Sequence, residues 1–139
     1  MIQIIVGEKG KGKSKILIEK ANSEIISAKG NIVYLDKSNK HMYELSNRIR
    51  LINVRKHLVE NQSEFLGFIC GIFSRDNDIQ SVYLDSFLTI AFVTEDNLKY
   101  VLEKMEKISE QYKVDLILSM SMNYNQLPDD AKKYVIEAL

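Results

Sequence analysis

Short apolar runs of strand character alternate with longer stretches of helical spacing along the chain. This alternation predicts an α/β fold with a mostly parallel sheet. Residues 1–6 (Met-Ile-Gln-Ile-Ile-Val) are rich in β-branched residues, as a strand buried on both faces is. Residues 13–27 contain no Gly or Pro and place Leu17, Ala21 and Ile25 four apart, which predicts a helix that stops before Gly30. Residues 31–36 (Asn-Ile-Val-Tyr-Leu-Asp) read as a second buried strand that closes on a carboxylate. Ser38 or Asn39 then caps an expected helix with Met42, Leu45 and Ile49 on one face. The later half of residues 48–54 reads as a short edge strand, and a helix that starts at Asn61 or Ser63 runs through Phe73. Residues 80–85 (Gln-Ser-Val-Tyr-Leu-Asp) form another buried strand ending in a carboxylate. Thr94, followed by Glu95 and Asp96, is the expected N-cap of a helix striped by Leu98, Val101, Leu102, Met105 and Ile108. Residues 114–120 supply the next strand, and Pro128, Asp129 and Asp130 open an expected last helix.

The sharpest chemical signal lies between the first strand and the first helix. Residues 7–14 read Gly-Glu-Lys-Gly-Lys-Gly-Lys-Ser and satisfy the P-loop spacing G-x-x-x-x-G-K-[ST], with Gly7, Gly12, Lys13 and Ser14 at the fixed positions. Glycines let successive backbone N–H groups turn inward on a phosphate, and the start of the helix adds its positive end. Glu8, Lys9, Gly10, Lys11 and Lys15 belong to the same expected nucleotide-binding segment. Lys13 is expected to reach the β- and γ-phosphates of ATP, and the Ser14 hydroxyl to ligate Mg²⁺. The metal also needs a carboxylate from the end of a neighbouring strand. Asp85 is the expected Walker B acid, because it closes the apolar run 82–84 in mid-chain with a helix on each side; Asp36 is the alternative.

Composition narrows the setting. A chain of 139 residues suggests one domain over 1–139, and 19 basic residues against 19 acidic ones leave no net field to draw it onto nucleic acid or membrane. The single Cys70 excludes an internal disulfide and sits in the apolar stretch 65–73, as a packed thiol in a reducing cytosol would. The apolar runs are too short to cross a bilayer and the start lacks a signal-peptide pattern, so a cytoplasmic protein without membrane insertion is expected. His41 and His57 have no metal-ligand spacing and read as ordinary surface or helix residues. Arg48, Arg50, Arg55, Lys56 and His57 form a local basic cluster, which a solvated strand face explains as readily as a nucleic-acid contact does.

In the order of these features, residues 1–125 resemble the RecA-like branch of P-loop ATPases. The P-loop octapeptide matches directly, Tyr34-Leu35-Asp36 is similar to that family's second strand, residues 52–54 to its edge strand, and Leu84-Asp85-Ser86 to its Walker B ending. The resemblance implies a three-layer α/β fold with a sheet of four to five mostly parallel strands and helices on both faces. It also implies that Ser119, Ser121 or Asn123 senses the γ-phosphate. The family's catalytic glutamate falls on Ser38, and a serine cannot act as the base that activates water. The expected function is therefore ATP binding with Mg²⁺ in a slow ATPase or an ATP-driven switch, as a homo-oligomer or within a larger complex. Arg75 and Arg55 are candidates, by type, for completing a neighbouring subunit's site. A small-molecule or nucleotide kinase, and a nucleotide-responsive binding module without turnover, are the competing readings. GTP is disfavoured, since no glycine follows Asp85 at the D-x-x-G position.

Overall fold

In the computed structural model, which describes residues 1–139, the apolar runs become six strands. They are β1 (Ile2–Gly7), β2 (Asn31–Asp36), β3 (Arg50–Asn53), β4 (Ile79–Leu84), β5 (Asp115–Ser121) and β6 (Val135–Ala138). Their order across the sheet is β3-β2-β4-β5-β1-β6, and every neighbouring pair is parallel. Parallel neighbours cannot be joined by tight hairpins, so the chain must cross over between them. Helices α1 (Lys13–Ser27), α2 (Gln62–Arg75) and α4 (Leu98–Tyr112) provide three crossovers, while α3 (Phe87–Ile90) and α5 (Asp129–Lys132) are single turns.

The strands' two faces bury against different helices. Leu17, Ile18, Ala21 and Ile25 of α1 pack on Ile5, Ile32, Tyr34, Tyr83 and Ile117. Phe65, Ile69 and Phe73 of α2, with Val101, Leu102 and Met105 of α4, pack on Ile4, Val33, Val82 and Leu116 on the opposite face. The result is the three-layer α/β architecture expected, with helices on both faces and one or two strands more than expected. Side chains alternate along a strand, so Tyr34 and Asp36 share the α1 side, as do Tyr83 and the residue just past β4, Asp85. Asn61 caps α2 by accepting from the Glu64 N–H at 2.9 Å, and β3 is the short edge strand the sequence predicts. Cys70 packs half-buried against the α2–α4 side of the core. No helix is long and apolar enough to cross a membrane.

Three expectations are corrected. Residues 37–49 form turns instead of a helix: Met42 is exposed, and only Leu45 and Ile49 turn inward toward α1. Tertiary hydrogen bonds replace the helical ladder there. Asn22 of α1 donates to the Glu44 carbonyl at 2.8 Å and accepts from the Ser46 N–H at 2.8 Å. Thr94 is not the cap of α4, which begins three residues later behind Asn97; the Thr94 carbonyl accepts from the Leu98 N–H at 2.9 Å. The helix opened at Pro128 stops after one turn because the chain then enters β6 and pairs with β1. α1 ends at Ser27, before Gly30 as expected; a Cβ on Gly30 would lie 2.4 Å from the Asp78 carbonyl, so close backbone approach explains the glycine.

Glu24 locks α1 to β4 on the shared face. Its carboxylate accepts from Gln80 at 2.7 Å and from the Ser81 and Tyr83 hydroxyls. Burial opposes its ionisation, but the hydrogen bonds from Ser81, Tyr83 and Gln80 outweigh that and hold its pKa below the usual glutamate value. We expect Glu24→Ala to cost about 1–3 kcal/mol by stranding those donors, seen as a melting point lower by several degrees. Because the folded-state pKa is depressed, the stability Glu24 contributes is present above the ordinary glutamate pKa and lost as pH falls through the folded value. Thermal melts at about pH 7 and about pH 3.5 should therefore show the difference between variant and parent shrinking in acid.

Candidate functional site

The carboxyl ends of β1, β2, β4 and β5 meet at one cleft of about 460 Å³, within the range of small-ligand pockets. Its lining is almost wholly polar. Lys9, Lys13, Lys37 and Lys40 supply cations, and Leu88 is the one hydrophobic wall residue.

The β1–α1 loop forms one side. Gly10 and Gly12 adopt φ of 87° and 90°, left-handed values that strain any residue with a Cβ. Gly12 is the N-cap of α1 and offers no side chain to the helix's first N–H groups, so those donors are left to an incoming acceptor. Lys13 is nearly buried and donates to the Glu8 carbonyl at 3.0 Å; burial lowers its pKa, with Asp85 acting in the opposite direction. Gly7 has a different reason to be glycine. A Cβ on it would lie 2.9 Å from the Leu139 Cβ, beside the β6 pairing in which the Leu139 N–H donates to the Val6 carbonyl.

Asp85 sits at the centre, 2% exposed, directly after β4. Its Oδ1 accepts from the Ser14 hydroxyl and from the Ser119 hydroxyl, both at 3.0 Å, and its Oδ2 accepts from the Tyr34 hydroxyl at 2.6 Å. Burial, then the neighbouring Asp85 charge, push the Tyr34 hydroxyl's pKa well above its usual value, so it stays a donor. Ser86 follows in a left-handed conformation, φ 54°, and its N–H donates to Ser119 Oγ at 2.9 Å. Such a backbone costs about 1 kcal/mol or more in a residue other than glycine, and it is held here beside the site's central carboxylate.

The structure thus brings together Ser14, Lys13, Asp85 and Ser119, and it places Asp36 at the same cluster. Asp36 is 1% exposed; its Oδ1 accepts from the Lys37 N–H at 2.7 Å, while Oδ2 has no partner. Burial, then the Asp85 charge, raise its pKa above the usual carboxylate value. Two neighbours of this cluster were not singled out as site residues from the sequence. Tyr34 was legible in principle: Tyr-Leu-Asp occurs at 34–36 and again at 83–85, and β2 and β4 pair Tyr34 with Tyr83 in register. The two rings stack at 6.2 Å. His41, read from the sequence as an ordinary surface or helix residue, lines the cleft from the 37–49 loop; one of its ring nitrogens and oxygens of Asp36 and Asp85 lie within 4.8 Å of one another.

Other candidates stand apart. Ser121 reaches the cleft wall, but Asn123 does not line it, and the Asn123 N–H donates to Gln126 Oε1 at 2.7 Å. Ser38 is half-buried and takes the Lys40 N–H at 3.4 Å. The basic cluster splits between the two ends of β3. Arg50, at its start, pairs with Asp76 at 2.6 Å, whereas Arg55, Lys56 and His57 are exposed past its far end, where His57 packs on Phe68. Arg75 lies at the C-terminus of α2, toward the amino end of β4 and away from the cleft.

No family profile and no curated protein matches the chain. Among solved structures it is similar to the crystal structure of flagellar accessory protein FlaH from Methanocaldococcus jannaschii, with a TM-score of 0.58 and 14% identity over 93% of this chain and 63% of that one. The chain has a RecA-like α/β fold.

Asp36→Asn should stabilise the ligand-free protein, because a buried carboxylate with one orphaned oxygen becomes neutral. We expect about 1–2 kcal/mol, or a melting point higher by a few degrees. With its folded-state pKa raised, ionised Asp36 costs stability progressively as pH rises from the ordinary carboxylate value through the folded one. Melting curves across that window should fall for the parent and flatten for the variant.

Proposed function

We propose that the chain binds Mg²⁺–ATP in the cleft and acts as a slow ATPase or an ATP-driven switch. The observation that carries this reading is the 3.0 Å hydrogen bond between Ser14, on the first turn of α1, and Asp85, at the end of β4. It joins a hydroxyl and a carboxylate at the mouth of a loop whose glycines and helix start offer backbone donors to an anion. These donors suit the phosphates, and Lys13, with Lys9, Lys37 and Lys40 around it, offsets their charge.

Ser14 and Asp85 are the residues that would hold Mg²⁺, directly or through water, and the ion would neutralise charge on the transferred phosphoryl group. Asp85 can do this because Ser119 and Tyr34 already fix its rotamer. Ser119 would act through Asp85 and not as a free sensor, while Ser121 remains available at the cleft wall. Catalysis would rest on positioning and charge stabilisation. Ser38 cannot take a proton from water, and Asp36 starts from a neighbouring strand with a shorter side chain. This supports slow turnover or switching. The cations that line the cleft are lysines, which fits phosphate neutralisation better than the arginine clamp and lid of a kinase.

Lys13→Ala should abolish the ATP-induced rise in melting temperature without unfolding the protein; equal shifts in parent and variant would remove this reading. Asp85→Asn should weaken the Mg²⁺ dependence of that shift more than Asp36→Asn does. A phosphate-release assay on the purified protein should give turnover well below the roughly 10 per second typical of enzymes.

A further inference from the structure

We propose that Asp36, His41 and Asp85 form a transition-metal site of the Mn²⁺, Co²⁺ or Zn²⁺ kind that fills without nucleotide. It shares Asp85 with the cleft proposed for Mg²⁺–ATP, but its occupancy does not depend on that reading.

Three observations converge. One donor atom from each residue lies within 4.8 Å of the other two. Ligands held at about 2.1 Å in a tetrahedral site stand about 3.4 Å apart, so a cation needs the cluster to contract by little more than an ångström. Two buried atoms beside this space have no partner at all: Oδ2 of Asp36, on a side chain 1% exposed, and Nε2 of His41. Orphaned buried polar atoms are rare in folded proteins, and here two belong to one cluster. Nδ1 of His41 meets Glu44 Oε1 at 3.2 Å, the second contact that orients a ligating imidazole and leaves Nε2 as the free nitrogen.

The loop that carries His41 is held in place. Asn22 fixes it through the Glu44 carbonyl and the Ser46 N–H, and Leu45 is buried against α1. Asp85 still has acceptor capacity on Oδ2, which takes a single hydrogen bond from Tyr34. The donor set, two carboxylates and one imidazole, sets the class of ion. Mg²⁺ prefers oxygen ligands in near-ideal octahedra and keeps its waters, whereas an imidazole suits the first-row transition metals.

The test titrates Mn²⁺ into the full chain without nucleotide and follows the free aqua ion by electron paramagnetic resonance, with Zn²⁺ as competitor. One Mn²⁺ per chain is expected, displaced by Zn²⁺. His41→Ala, His41→Gln and Asp36→Asn should each weaken it by about tenfold or more. Zn²⁺ should raise the melting temperature of the parent and not of the folded His41 variants. Binding of Mn²⁺ by both His41 variants as tightly as by the parent, or only when ATP is present, would overturn the proposal. ATP-induced melting shifts, measured separately in excess Mg²⁺, report on the nucleotide reading alone, so each can fail without the other.

Discussion

Asp85 organises the molecule around one buried carboxylate. An ionised group removed from water is tolerated only when it is well hydrogen-bonded. Here the donors come from three elements: Ser14 on α1, Tyr34 on β2 and Ser119 on β5. One side chain therefore ties the start of α1 to the ends of β2, β4 and β5. The same need explains the left-handed Ser86, whose N–H holds the Ser119 oxygen that serves Asp85.

Sheet geometry does the rest of the assembly. In an all-parallel sheet every strand delivers its carboxyl end to the same edge, and a shared parity delivers the side chains to the same face. Tyr34, Asp36 and Asp85 reach the site because each lies at the right parity on the α1 side. Glu24 and Tyr83 make a second polar contact on that face, nearer the strands' amino ends, and the stacked Tyr34 and Tyr83 rings lie between the two carboxylates. α1 is thus tied to the sheet at both ends by an acid and hydroxyls, with Leu17, Ala21 and Ile25 packed between.

Much of this was legible in the sequence where structure is local. The strand cores, α1, α2 and the apolar stripe of α4 follow from periodicity, and the loop glycines and Asp85 follow from motif spacing and strand-end position. What escaped is what tertiary contacts decide. Residues 37–49 carry helix-compatible spacing, yet the Asn22 amide takes their backbone groups. The segment 135–138 is a strand only because β1 offers it an edge. His41 lies five residues from Asp36 and 44 from Asp85 in sequence, so no local spacing rule could join them; the β2–β4 pairing and the pinned loop do so. Tyr34 was visible as the repeated Tyr-Leu-Asp, but its role needed the register.

Gly7 carries two constraints at once. It is the first fixed position of a phosphate-loop motif, and it is also the place where a Cβ would collide with Leu139 beside β6. Among descendants of this chain, glycine at position 7 would persist for packing alone, whatever the cleft holds. An unchanged Gly7 is therefore poor evolutionary testimony to the loop's use, whereas Gly10 and Gly12, with open space around their missing side chains, are held by backbone conformation and record the loop's shape more faithfully.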